Sequence, residues 1–218
     1  MKTLSYSAAR HMLMACADEI IKSKPYLTEI DSKIGDGDHG IGMAGGMQKA
    51  LSKLETMADG ENVYDLFQAM GKTMLMSMGG ASGVIFGTFF SGGAKGKEPS
   101  AALDARAFAQ LMADSLAEVQ RRGKAEVGDK TMVDALKPAV DAMSAYAGED
   151  LVEMLSLAEE AAKEGVEQTK QYVAKFGRAK SLMERAIGYQ DAGATSIWII
   201  LRAMRDDLKA QEEEGIAQ

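Results

Sequence analysis

Along most of the chain the apolar positions recur at three- and four-residue steps, the period of an amphipathic helix. Read with stop signals, the pattern predicts helices over about Ser7–Lys22, Ile41–Met57, Val63–Met78, Ser82–Ser91 and Ala102–Arg122. A sixth runs from near Asp129, a candidate cap, to near Gly148, and the last two cover about Asp150–Lys175 and Thr195–Glu213. The first helix stops before Pro25, and a polar, acidic segment from Thr28 to His39 follows with no strand-like run. Pro138 inside the sixth predicts a kink or a late start. Met70, Met74 and Met78 share one face at four-residue spacing and read as core. Connections are short, so neighbours run antiparallel. The expectation is an all-α, single-domain antiparallel bundle or barrel of about eight helices covering residues 1–218.

Composition supports helices, with good helix formers abundant and only 3 prolines, but it contains one conflict. Fifteen of the 23 glycines fall between residues 35 and 96, where each one inside a helix costs roughly 0.5–1 kcal/mol relative to Ala. That third of the chain needs bare backbone for some other purpose. A formal net charge of −7 disfavours nucleic acid or an anionic membrane surface as partner. The single cysteine, Cys16, rules out an internal disulfide; it reads as a small buried residue of the first helix and fits a reducing, cytoplasmic location. Residues 73–94 carry no charge and repeat glycine at 79, 83 and 87, the spacing of membrane helix pairs. The Gly79–Gly83 cluster would break a helix in lipid, so a buried loop followed by a buried helix accounts for the segment better.

Three carboxylates, Asp31, Asp36 and Asp38, stand within eight residues ahead of the second predicted helix. Crowded carboxylates raise one another's pKa, and a hard divalent cation such as Mg2+ removes that conflict. The competing reading is a solvated turn whose aspartates cap the helix. Known motifs fail here. An EF-hand starting at Asp36 would place Met47 at its acidic twelfth position. The match of residues 40–45 to GxGxxG lacks a preceding strand, and no GxxxxGK[ST] occurs. A second glycine cluster, residues 79–83 with Ser82, opens a helix with free amides, an arrangement suited to phosphate oxygens as well as to close helix packing. Two later segments, residues 123–132 and Gly177-Arg178-Ala179 followed by 188–194, have turn composition, and Arg178 offers a bidentate fork for phosphate.

Taken together, the segments GDGDHG, GGASG, GDKTM, GRA and the DxGA loop resemble the nucleotide-binding L subunits of dihydroxyacetone kinases, over nearly the whole chain. The resemblance implies an eight-helix antiparallel barrel holding ADP or ATP at one end. By position it implies Asp31, Asp36 and Asp38 as Mg2+ ligands, with His39, Gly40, Ile41 and Gly42 beside the nucleotide and Ala81 and Ser82 at the phosphates. Gly123, Met132, Arg178 and the Asp191-Ala192-Gly193 loop would complete the pocket; Ala192 stands where the family usually has proline, which bears on that loop's contacts. The implied activity is phosphoryl transfer to dihydroxyacetone or a related short ketose bound on a separate K-type subunit. The donor is either ATP or a phosphotransferase-system protein acting through bound ADP, and a homodimer is a further candidate assembly. The alternative is a non-catalytic nucleotide sensor that docks on a regulator.

Overall fold

In a computed structural model, which describes residues 1–215, nine α-helices surround one contiguous apolar core. A short strand β1 (Thr3–Ser5) leads into α1 (Tyr6–Lys22), α2 (Lys24–Ile34), α3 (His39–Glu55), α4 (Val63–Ser77) and α5 (Gly80–Ser91). Strand β2 (Ala102–Asp104) precedes α6 (Ala105–Gly123), α7 (Val133–Ala145), α8 (Leu151–Thr169), a 3-10 segment (Arg178–Ala186) and α9 (Ala192–Glu213). Side-chain caps fix several starts: Ser5 accepts from the Ala8 amide, Asp104 from Ala107, Asp150 from Glu153 and Asp191 from Ala194.

The packing closes a ring. α3 lies against α1 and α4, α4 against α5, α5 against α6, and so on through α7 and α8 to α9, which returns to α1. Eight helices therefore form an antiparallel barrel, as the sequence predicts, and α2 packs outside against α3 and α9. Buried methionines, including Met12, Met43, Met47, Met70 and Met74, fill the interior, and Phe67 meets Phe108 edge to face at 6.3 Å. Met78 is half-buried and packs against the same core, and Cys16 is buried as expected. α4 and α5 cross so closely that a Cβ on Gly71 would fall 2.4 Å from the Gly87 carbonyl oxygen, so glycine in this region serves packing as well as loops. On the α8–α9 seam the Trp198 indole donates to Glu159 at 2.5 Å, and the Arg202 guanidinium stacks 4.9 Å from the ring centre. No described helix is long and apolar enough to cross a membrane.

Four local expectations are corrected. Pro25 does not end structure but occupies the first turn of α2, where its missing N–H is harmless. Residues 3–5 and 102–104 pair as a two-stranded antiparallel ribbon with Leu4 opposite Leu103. Asp129 does not cap the sixth predicted helix, because α7 starts at Val133; even with this late start Pro138 lies inside the helix, as its sixth residue. α8 ends at Thr169 rather than near Lys175, and a long turn with the 3-10 segment replaces its last residues.

Candidate functional site

Alternation of direction around the barrel sends the N-termini of α3, α5, α7 and α9 to the same end. The four segments singled out in the sequence are the loops that feed these helices. Their amides give that end a positive potential suited to an anion.

At the first of them, Asp31 lies on α2 and Asp36 and Asp38 on the turn into α3. One carboxylate oxygen from each lies within 4.8 Å of the others. Gly37, at φ +75°, supplies the left-handed residue of that turn. Gly40 lets α3 press onto α2, since a Cβ there would sit 2.5 Å from the Lys24 carbonyl oxygen. Asp38 occupies the N-cap position of α3 but its side chain makes no capping bond. Asp31 alone accepts an amide of α3, that of His39 at 3.2 Å. The turn is thus more than a cap: three carboxylates converge, and two of them are exposed. Loss of solvent around its carboxyl, then Asp36 and Asp31 nearby, push Asp38 above the usual carboxylate range, with Arg178 pulling the other way. This oxygen-rich, under-neutralised set fits a hard divalent cation.

Arg178 opens the 3-10 segment and its Nε reaches Asp36 Oδ2 at 2.8 Å, which brings the GRA segment to the acidic turn. The His39 ring rests on Phe86 at 5.9 Å and places Nε2 2.8 Å from Ser196 Oγ on α9. Burial lowers the pKa of His39, against the pull of Asp31, so the ring is neutral at pH 7. Ile41 and Gly42 sit exposed on the first turn of α3.

Beside this turn, α5 begins at Gly80 with no side-chain cap, leaving the first-turn amides around Ala81 and Ser82 free for an anion. Ala81 also borders a cavity of about 360 Å³ whose walls include Ile85, Gly123, Met132, Phe176 and Gly177. The predicted residues therefore divide. Ala81, Gly123 and Met132 share this mostly apolar cavity, Asp31, Asp36, Asp38 and Arg178 share the acidic turn, and His39 bridges toward α9. Asp191, Ala192 and Gly193 do not line the cavity but adjoin it, since a Cβ on Gly193 would lie 3.4 Å from the Met132 nitrogen. Ala192 takes the first position of α9 with the Asp191 cap formed at 2.7 Å, so the loop keeps its cap with Ala192 there.

Several residues behind these walls escape the sequence reading. Asp134, 2% exposed, accepts the Gly128 amide at 2.6 Å and the Thr131 amide at 2.7 Å, which shapes the GDKTM turn. Lys130 is buried with its ammonium on main-chain carbonyls, and Ser196 meets His39. Burial pushes the Asp191 carboxyl up to about 7, opposed by the Ala194 amide and by Lys130. No periodicity marks such residues, because a buried polar group reads as a surface position.

Comparison with known proteins agrees with this layout. A family model described as "DAK2 domain" matches residues 33–206. The chain is 36% identical over 204 residues to the "PEP-dependent dihydroxyacetone kinase, ADP-binding subunit DhaL" of Escherichia coli (strain K12), covering 93% of this chain and 97% of that one. It is 35% identical to an "L-erythrulose kinase" of Pectobacterium atrosepticum, of which it covers 35%. Among solved structures, the dihydroxyacetone kinase from C. freundii in complex with AMP-PNP and Mg2+ superposes with a TM-score of 0.71 at 26% identity. The alignment takes in 92% of this chain and 34% of that one, so the chain spans about a third of that kinase. The barrel, the converging loops and these matches together place the chain in the DAK2-domain family.

Proposed function

We propose that residues 1–218 act as one Mg2+–nucleotide-binding domain, the nucleotide-binding subunit of a kinase that phosphorylates dihydroxyacetone or a related short ketose. The observation that carries this reading is a cluster of three carboxylates, their oxygens within 4.8 Å of one another, at the same barrel end as the uncapped start of α5, which borders an apolar cavity. In this reading Asp31, Asp36 and Asp38 hold Mg2+, which supplies neutralisation of the phosphate oxygens. The amides of Ala81 and Ser82 meet those oxygens at the positive end of α5, and the exposed Arg178 guanidinium can turn from Asp36 to phosphate. The cavity of Ala81, Gly123 and Met132 takes the base, excluding water from one face. His39, neutral and held by Ser196, Gly40 under it, and Ile41 and Gly42 at the rim flank the phosphates, and Asp191–Gly193 close the far side. Catalysis of this kind is mostly positioning and electrostatics.

The ketose would sit on a separate K-type subunit. The similarity over nearly the full length of an ADP-binding, PEP-dependent subunit supports bound ADP rephosphorylated by a phosphotransferase-system protein over exchangeable ATP. The erythrulose kinase among the relatives supports four-carbon ketoses as a second acceptor class. One free, buried cysteine suits a cytoplasmic setting.

The test is calorimetric titration of ADP with Mg2+ and again with EDTA. The expected result is Mg2+-dependent binding, weakened at least about 100-fold in Asp36→Asn/Asp38→Asn, since each contact to a charged group contributes about 1.5–3 kcal/mol. Equal affinity in EDTA contradicts the reading. Adding a K-type subunit, ketose and phosphodonor then separates the kinase subunit, which yields ketose phosphate, from a sensor, which yields none.

A further inference from the structure

Lys130 is 2% exposed, although it lies in a turn where a lysine ordinarily points to water. Its backbone is left-handed at φ 59°, a conformation that costs energy for a residue with a long side chain. With that backbone the side chain runs inward, and Nζ donates to the carbonyl oxygens of Thr169, at the end of α8, and Tyr189, both at 2.5 Å. Asp134 and Asp191 are the charges that favour the ammonium there, against its burial. Thr169 adds a second tie, its hydroxyl accepting the Asp191 amide at 2.9 Å. One ammonium and one hydroxyl thereby fix residues 189 and 191, immediately before the Asp191 cap of α9 and the close approach of Gly193 to Met132.

A buried ammonium on neutral carbonyls, in a strained backbone, is a poor way to gain stability, because desolvation offsets much of the attraction. It is an effective way to set a loop in one geometry. We infer that Lys130 is a positioning residue of the nucleotide site, holding the Asp191–Gly193 turn against Met132 so that both loops present one preformed wall. This role rests on the reading that these loops bound the nucleotide.

The geometry also supplies an independent way to impose the same turn. Asp191 lies at φ −79°, ψ 133°, the region that a following proline enforces, and Ala192 is the first residue of α9, where proline fits. Proline at 192 would hold Asp191 in place by its ring rather than through Lys130.

The experiment measures Mg2+–ADP affinity by calorimetry, with melting temperatures alongside, for the full chain and for Lys130→Met, Thr169→Val, Ala192→Pro and Lys130→Met/Ala192→Pro. Lys130→Met is expected to weaken binding at least about tenfold, because two carbonyls lose a charged donor, and Thr169→Val about threefold. Ala192→Pro is expected to recover most of the affinity lost in Lys130→Met, and by a larger factor than it changes the parent protein. A purely structural lysine predicts the same factor in both backgrounds, which would overturn the inference. Parental affinity in a folded Lys130→Met overturns it too, and if that variant does not fold, parental affinity in Thr169→Val does so. Failure of the parent itself to bind Mg2+–ADP overturns the underlying reading instead.

Discussion

The turn before α3 and the paired turns before α7 and α9 face the same end of the barrel and treat charge in opposite ways. In the first, Asp31, Asp36 and Asp38 crowd together near solvent, and Arg178 reaches only Asp36. In the second, each carboxylate is answered from within. Asp129 pairs with Lys175 at 2.6 Å and accepts the Glu126 amide, Asp134 accepts two amides, and Asp191 accepts the Ala194 amide near Lys130. One half of the site carries charge for a ligand to complete. The other half is complete already and supplies shape.

Substitutions should therefore separate the halves by the sign of their effect on the ligand-free protein. The largest change is expected for Asp134→Ala, which removes a buried carboxylate and orphans the half-buried Gly128 and Thr131 amides. A loss of about 3 kcal/mol, or roughly 10 °C in melting temperature for a chain of this size, should appear in urea and thermal unfolding. A loss close to zero would mean that the second half is not internally held.

The next effect is on pH. Asp191 releases its proton near its ordinary 3.8 when unfolded and near about 7 when folded, so between these values the folded state carries the extra proton. The stability contributed by this group is full below about pH 4, falls as pH rises to about 7 and is level above. Subtracting the unfolding free energy of Asp191→Asn from that of the parent should give a difference that declines over this window; a flat difference would remove the buried acid from the second half.

Asp38→Asn should do the reverse of Asp134→Ala. It relieves like-charge repulsion and raises ligand-free stability by about 1 kcal/mol, while weakening Mg2+-dependent nucleotide binding. Smallest of all, Arg178→Ala breaks one exposed ion pair and should shift unfolding by less than about 0.5 kcal/mol, with its effect confined to nucleotide affinity. A large destabilisation there would mean that the acidic turn is already neutralised by the protein.

The barrel was legible because its helices each bury a stripe, and the stripe repeats with the helical period. α2 was not, because only Leu27 and Ile34 are buried in it and Pro25 looks like a stop until its place in the first turn is seen. The ribbon escaped for a similar reason: strands of three residues with a single buried leucine each carry no alternation to read. In the site, the acidic turn and the glycine-rich start of α5 were visible as local clusters. Lys130, Thr169 and Ser196 were not, since the partners that tie them to the site lie 22 to 157 residues away and pairing at that range leaves no local pattern, while Asp134 binds amides three and six residues before it but reads as an ordinary first-turn carboxylate. The start of α7 was misjudged because Asp129 spends its carboxylate on Lys175 and Glu126 instead of on a helix.

The seam between α8 and α9 carries a consequence of another kind. Trp198 is the chain's single tryptophan, and its indole is hydrogen-bonded to a carboxylate on one helix while a guanidinium from its own helix stacks on the ring. An indole so placed acts as an optical gauge: its emission registers the separation of α8 and α9, the two helices that anchor the Lys130-held loop, with no dye or engineered fluorophore required.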